Sequence, residues 1–278
     1  MTAPKRIPLA GVIGSPVAHS KSPQIFQIWL RTLGLRGYYI PMDIASADLE
    51  TAIRALPTLG FVGANVTIPH KEHVLNIADQ VSDRAALIGS ANTLTFMDDG
   101  KIYADNTDGY GFLENLKQGA PDWSASDGPA VVLGAGGAAR AVIASLIEAG
   151  ASEIRLTNRT RTRADALQKE FGTKVTVSDW VQAGNMLEGA RTVVNATSLG
   201  MTGKAEMRVP LDALSKDAVV TDLVYVPLET PLLAHANAIG CRTVDGIGML
   251  LYQAIPGFER WFGMRPNVDE ALRKAVLA

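Results

Sequence analysis

A single cysteine, Cys241, occurs in 278 residues, so an internal disulfide is excluded. Four scattered histidines give no zinc or iron–sulfur spacing, no metal centre is expected, and a reducing cytoplasm fits the cysteine usage. Neither charge sign forms a block: 26 basic residues face 28 acidic ones for a net charge of -2. That balance leaves no electrostatic footprint for nucleic acid or an anionic membrane. No apolar run reaches the roughly 18 uninterrupted residues of a membrane span. Lys5-Arg6 ahead of IPLAGVIGSPVA has the layout of an export signal, but Pro8, Gly11 and Gly14 interrupt it, and a buried strand is expected there instead. Internal repeats and low-complexity segments are also missing. What remains is a globular composition, 47% hydrophobic and 19% charged, long enough for one large or two ordinary domains. Its ligand is expected to be small and met by a few placed residues.

Short apolar runs alternate with helical patterns in the first third: IPLAGVIG, PQIFQIWLRTLG, YYIPMDI, DLETAIRALPTLG, FVGANVTI and EHVLNIADQV. This βαβα order implies α/β architecture with a mainly parallel sheet covered by helices. Asp98-Asp99-Gly100 breaks the pattern as a hairpin turn between two strand-like runs. QGAPDWSASDGP, residues 118 to 129, reads as an exposed loop, after which a second alternating series begins. Domain changes are expected near residues 108 and 245, beyond which the chain turns helical.

In the second series, Gly134-Ala135-Gly136-Gly137-Ala138-Ala139 satisfies G-x-G-x-x-A between the strand AVVL and a helix. The first glycine permits the tight turn, Gly136 lets backbone approach a pyrophosphate, and Ala139 allows close helix packing; the helix N-terminus attracts the anion. At the end of the next strand, an NAD site would carry Asp or Glu to accept from the ribose 2′-hydroxyl. Here stand Asn158-Arg159-Thr160 and then Arg163. The arginines pair with a 2′-phosphate and the neighbours donate hydrogen bonds, so the cofactor expected is NADP. The alternative is that both arginines are merely solvated.

Three polar clusters occupy the first series. In HSKSPQ, Ser22 reads as a helix N-cap and Pro23 as the first helical residue. With Ser20 beside them, the hydroxyls and free amides form either plain capping or a carboxylate receptor. NVTIPHKE places Lys71 in what reads as the first turn of a helix opened by Pro69, where the dipole disfavours a cation by roughly 0.3–1 kcal/mol. SANT (90–93) and DNTDG (105–109) set Asn, Thr and Asp after strand-like segments, where open α/β sheets bind ligands.

GSPVAHSKSP, NVTIPHK, GSANT, DNTDG, GAGGAARA, NRTRTR, NATSLGM and DGIGMLLYQA follow one another along nearly the whole chain. In this series the chain resembles the shikimate dehydrogenase family. The resemblance implies reversible NADP-linked reduction of 3-dehydroshikimate to shikimate, on the route to aromatic amino acids, by a cytoplasmic monomer or homodimer. It implies a substrate domain at 1–107, completed by 245–278, and a Rossmann-type NADP-binding domain at 108–244. By similarity, Ser20 and Ser22 hold the substrate carboxylate with Thr67 close by, while Lys71, Asn92, Asp108 and Gln253 meet the ring hydroxyls and the reacting centre. Tyr225 joins the substrate-binding set and, with Met249, falls near the nicotinamide, and Gly134, Ala135, Gly136, Gly137, Ala138, Asn158, Arg159, Thr160, Arg163 and Gly246 complete the cofactor side. Gln253 sits among Leu250, Leu251, Ala254 and Phe258, an apolar helix face in which an amide must find partners. The chain departs from the family at Phe26 and Gln27, where many members have His-Asn, and at Ser90, where Ala is frequent; these adjust the fit of the pocket. Lys71 is the expected proton donor and Asp108 its carboxylate partner. Two rival readings are a quinate/shikimate dehydrogenase of relaxed specificity and a non-catalytic metabolite sensor.

Overall fold

A computed structural model describes residues 7–278; Lys5-Arg6 lies outside the described residues. The architecture is α/β, in two compact units. One holds the described residues up to Thr107 together with Gln253–Ala278, and the other holds Asp108–Tyr252.

The chain opens with β1 (Leu9–Gly14), α1 (Ser22–Thr32), β2 (Tyr38–Asp43), α2 (Leu49–Ala55) and β3 (Phe61–Val66), and the three strands run parallel. Five of the six residues of β1 are buried, as an inner parallel strand requires. A short 3₁₀ turn, β4 (Gln80–Val81) and α3 (Asp83–Ile88) lead to β5 (Thr93–Phe96) and β6 (Ile102–Asp105). The EHVLNIADQV run is therefore not an α-helix. Val74 and Ile77 enter the core, and Asp79 accepts a hydrogen bond from Ile102 N (2.8 Å), which draws the chain alongside β6 before a helix can propagate. β5 and β6 form the expected Asp-Asp-Gly hairpin, with Phe96 opposite Ile102. Because β5 runs antiparallel to β3 and β6, Asn65, Thr93 and Asp105 stand in register at one end of the sheet. SANT thus precedes its strand instead of following it, and the reversed direction brings it to the ligand-bearing end.

The second unit begins with α4 (Asp108–Gly119), followed by β7 (Ala130–Leu133), α5 (Gly137–Glu148), β8 (Ile154–Thr157), α6 (Arg161–Phe171) and β9 (Val175–Ser178). It continues through β10 (Thr192–Asn195), β11 (Val219–Asp222), α7 (Pro231–Ile239), β12 (Arg242–Val244) and α8 (Ile247–Tyr252). All six strands are parallel in the order β12-β11-β10-β7-β8-β9, so strand order reverses between β7 and β10. The 118–129 stretch is less exposed than expected: Ala120 and Ala125 are buried, and Trp123 Nε1 donates to Thr192 Oγ1 (2.9 Å).

Residues 245–252 belong with the second unit, since α8 packs along α4 and Asn115 Nδ2 donates to Asp245 O (2.6 Å). The return to the first unit begins at Gln253, not at 245. Pro256, near the start of α9 (Ile255–Phe262), cannot continue a helix from Tyr252, so Gln253 lies in a break between helices and not inside one apolar face. α9 sends Phe258 and Trp261 into an aromatic cluster with Phe26, and Trp261 Nε1 donates to Leu94 O (3.1 Å). The chain closes with α10 (Glu270–Leu277), capped by Asp269 through Leu272 N (2.8 Å).

Candidate active site

In the first unit, the loops after β1 and β3, the entry to β5 and the exit of β6 converge on one sheet end. Thr67 N donates to Ile13 O (2.8 Å), Ala91 N to Lys71 O (2.8 Å) and Asn92 N to Asp105 O (3.0 Å), so backbone bonds tie all four segments together. Lys71 lies half-buried in a turn ahead of the 3₁₀ segment His73–Asn76, not in the first turn of an α-helix. The expected dipole penalty on its charge therefore has no source. His70, 1% exposed, holds this turn through Nε2 and Ile44 O (2.7 Å); a carbonyl only accepts, so Nε2 carries the hydrogen.

Asn92 is the centre of the polar cluster. Its Oδ1 accepts from Thr107 N (2.9 Å) and Thr93 Oγ1 (2.9 Å). A backbone amide only donates, so this fixes the orientation of the Asn92 side chain and points Nδ2 at Gln253 Oε1 (3.1 Å). The Gln253 amide is thereby oriented in turn, and Thr107 Oγ1 reaches Gln253 O at 2.8 Å. Asn65 backs the cluster: Nδ2 donates to Asn92 O (3.1 Å) and Oδ1 accepts from Tyr39 Oη (2.7 Å).

At the start of α1, Lys21 occupies the cap position and Ser22 is the first helical residue, with no side-chain cap bond. The capping oxygen comes from Ser20, whose Oγ accepts from Ser22 N at 3.3 Å. Ser22 is buried, and its hydroxyl lies by Tyr39, whose phenol burial pushes well above its ordinary pKa against that hydrogen bond. Phe26 is fully buried and stacks on Tyr39 (3.8 Å between centroids), so it belongs to the core and not to a pocket wall; Gln27 is exposed. Ser90 is buried and its carbonyl and hydroxyl accept from Asn106 Nδ2 (2.9 and 3.2 Å).

The second unit carries the glycine turn at the point where strand order reverses, the usual ligand crevice of such sheets. Gly134 has φ +112°, and a methyl group there would lie 2.8 Å from Thr197 Cγ2 and 2.9 Å from Ala196 O. Gly136, Gly137 and Ala138 are exposed at the start of α5, with open space over both glycines, while Ala139 is fully buried. Ala135 N donates to Asn158 Oδ1 (3.2 Å), and Asn158 Nδ2 to Thr160 O (2.8 Å), which joins the glycine turn to the end of β8. Beyond it opens a cavity of about 610 Å³ lined by Asn158, Arg159, Trp180, Thr197, Ser198 and Arg208, among others. Arg163 is exposed in the first turn of α6 and does not line it. These donors fit a phosphorylated dinucleotide: open amides for a pyrophosphate and guanidinium groups for a further phosphate.

Asp108 opens α4, where a carboxylate suits the helix dipole, and it belongs to the second unit while Lys71 belongs to the first. Tyr225 is half-buried, and burial raises its phenol pKa. Met249 packs on the core of the second unit, and Gly246 faces backbone, with a built methyl 2.5 Å from Leu223 O and 2.7 Å from Asp222 O. Asp222 is itself fully buried; burial raises its carboxyl against bonds from Thr230 Oγ1 (2.7 Å), Val224 N (2.9 Å) and Asn195 Nδ2 (2.8 Å). Sequence reasoning missed Asn65, Thr107, Trp180 and Arg208. Asn65 and Thr107 lay inside motifs already singled out, whereas Arg208 comes from an irregular segment with no local signal. No group of three or more metal-binding side chains occurs among the described residues, and none of their helices is long and apolar enough to cross a membrane.

A doubly wound parallel sheet with a glycine turn at its reversal point, joined to a second α/β unit with a polar cluster at its sheet end, defines a dinucleotide-dependent dehydrogenase. The chain belongs to the shikimate dehydrogenase family. Residues 12–94 match the shikimate dehydrogenase substrate binding domain, 117–223 shikimate/quinate 5-dehydrogenase, and 246–277 the shikimate 5′-dehydrogenase C-terminal domain. The shikimate dehydrogenase (NADP(+)) of Cereibacter sphaeroides is 69% identical over 278 residues, covering 100% of both chains. Among solved structures, the Thermus thermophilus shikimate 5-dehydrogenase in complex with NADP(H) and shikimate is 36% identical, with TM-score 0.85, over 98% of this chain and 99% of that one. A quinate dehydrogenase from Corynebacterium glutamicum in complex with NAD is 32% identical, with TM-score 0.89, at the same coverage.

Proposed function

We propose that the protein is an NADP-dependent shikimate dehydrogenase that reversibly reduces 3-dehydroshikimate to shikimate for aromatic amino-acid biosynthesis. The observation that carries this is the interlocked Asn92–Thr107–Gln253 cluster beside the Lys71 turn, on a chain whose relatives carry that name. The substrate domain is the discontinuous first unit and the NADP-binding domain is the second. Ser20 and Ser22 take the carboxylate with Thr67 beside them, and Asn92 and Gln253 take ring hydroxyls. Gly134, Ala135, Gly136, Gly137 and Ala138 cradle the pyrophosphate. Asn158, Arg159 and Thr160 hold the 2′-phosphate, Arg163 adds positive charge nearby, and Tyr225, Gly246 and Met249 flank the nicotinamide.

When bound, the cofactor supplies the hydride. The chain must hold the ketone in line and deliver a proton to its oxygen as negative charge develops there. Lys71 is assigned that proton, because an ammonium stabilises the growing charge, and Asp108 is the second residue assigned to the reaction. In the oxidative direction the same lysine receives the proton. The enzyme works in the cytoplasm as a monomer or homodimer, and its lone thiol, Cys241, is buried. Purified protein mixed with shikimate or quinate and NADP⁺ or NAD⁺ tests the reading through appearance of reduced nicotinamide. Turnover is expected with shikimate and NADP⁺. Preference for quinate with NAD⁺, or silence in every combination, overturns it.

A further inference from the structure

Asp105 is a fully buried carboxylate at the exit of β6, and it does more than end a strand. Arg84 Nε donates to Oδ1 (2.7 Å) and Nη2 to Oδ2 (2.6 Å), a two-pronged clamp from α3. Ser82 Oγ (2.8 Å) and Asn106 N (2.8 Å) also donate to Oδ1, and Arg260 Nη2 on α9 lies 3.6 Å from Oδ2. Arg260 is itself stacked over Tyr103 at 5.3 Å. Asp105 O meanwhile accepts from Asn92 N (3.0 Å). The carboxylate thus ties α3 to Asn106, next to Thr107, and lies beside Arg260 on the helix that follows Gln253, while the backbone carbonyl of the same residue holds Asn92.

Burying a carboxylate is an inefficient way to add stability, because its desolvation offsets much of the attraction to a partner, whereas a two-pronged guanidinium clamp does fix geometry. Burial alone would raise the Asp105 carboxyl, but the bonds from Arg84 and Ser82, the Arg84 charge and the Asn106 amide outweigh it and hold the group below the usual carboxylate range. The clamp is therefore charged at working pH.

We propose that Asp105, clamped by Arg84, is a positioning residue that sets the spacing of Asn92, Thr107 and Gln253 and through them the affinity for shikimate. This rests on the reading of the first unit as the substrate site. Arg84 acts by holding Asp105.

The test compares Arg84→Gln, Asp105→Asn and the double variant. Arginine has donors only, so in Asp105→Asn an amide N–H faces N–H. In the double variant, Gln and Asn pair donor to acceptor again. Each single change is expected to raise KM for shikimate about tenfold or more, since displacements near 1 Å at a site cost up to about a hundredfold. KM for NADP⁺, and the calorimetric Kd for adenosine 2′,5′-bisphosphate, are expected to stay within about twofold, and the double variant to recover most of the loss. If Asp105→Asn does not fold, Arg84→Gln carries the test, because the Arg84 side chain is 47% exposed and leaves Ser82 and Asn106 N on the carboxylate. An unchanged KM for shikimate in Arg84→Gln overturns the proposal, as does a parallel rise in both KM values. Wild-type protein that does not oxidise shikimate sinks the functional reading instead, so the two failures are distinguishable.

Discussion

Replacing Asn92 by Ala probes whether the polar cluster is held as tightly as its bonds imply. The side chain is 2% exposed, and its Oδ1 is the acceptor for Thr107 N at 2.9 Å. Truncation leaves that buried N–H without its acceptor, at a cost of about 1–3 kcal/mol. The other partners have alternatives: Thr93 Oγ1 keeps Asn65 Nδ2 (3.3 Å) and Thr107 Oγ1 (3.3 Å), and Gln253 is only half-buried and reaches water. The net loss is therefore about 2 kcal/mol from one orphaned donor, which corresponds to a fall of roughly 4–8 °C in the unfolding midpoint of a domain this size. Thermal unfolding followed by circular dichroism reads the midpoint, and hydrogen exchange at the Thr107 amide reads the cause, with faster exchange expected. A midpoint within about 1 °C of wild type, together with an equally protected Thr107 amide, would refute this accounting of donors and acceptors.

Four further outcomes are expected. Gly246→Ala drives a methyl group against two backbone carbonyls at 2.5 and 2.7 Å, neither of which belongs to a movable side chain; a loss of about 3 kcal/mol or more is expected, and a wild-type denaturation midpoint would contradict it. Arg159→Ala removes a charge-assisted bond worth about 1.5–3 kcal/mol, so KM for NADP⁺ should rise roughly ten- to a hundredfold while NAD⁺ kinetics barely move; equal losses with both cofactors would separate Arg159 from the 2′-phosphate. Lys71→Met should lower kcat by roughly 10²–10⁴-fold with little change in KM, and an unaltered kcat removes the lysine from proton transfer. Asp105 is held below its unfolded pKa of about 3.9, so its contribution to stability is complete above that value and disappears as pH falls through the lower folded one. Urea midpoints should therefore begin to decline below about pH 4, less steeply in Asp105→Asn, and a decline of equal slope in both proteins counts against the clamp.

Much of the fold was legible locally. The glycine turn between AVVL and a helix, the parallel series that follows it and the Asp-Asp-Gly hairpin each depend on a few adjacent residues, and each appears as expected. Capping rules misled at two places. Ser22 lies one residue inside its helix, with Ser20 supplying the oxygen, and the Pro69 turn does not open an α-helix because the following residues are drawn towards β6. The helical face around Gln253 was overextended, because its apolar spacing runs through a break that Pro256 imposes. Arg208 illustrates the opposite limit: it reaches the cavity of Asn158 and Arg159 from a distant irregular segment, and no spacing rule connects them.

Backbone preferences and apolar periodicity act over a few residues, so the order of strands and helices, the anion-binding turn and the positive charge after β8 could be read before any coordinates. The family resemblance put Asn92 and Gln253 at one site, but no local rule gives their bonded cluster with Thr107, because it depends on β5 running antiparallel and on the chain returning to the first unit only at Gln253. Which amide ends donate follows from hydrogen-bond partners up to 161 positions apart along the chain. Satisfying buried polar groups is a property of the assembled packing, where each donor must find its acceptor among whatever the fold brings near.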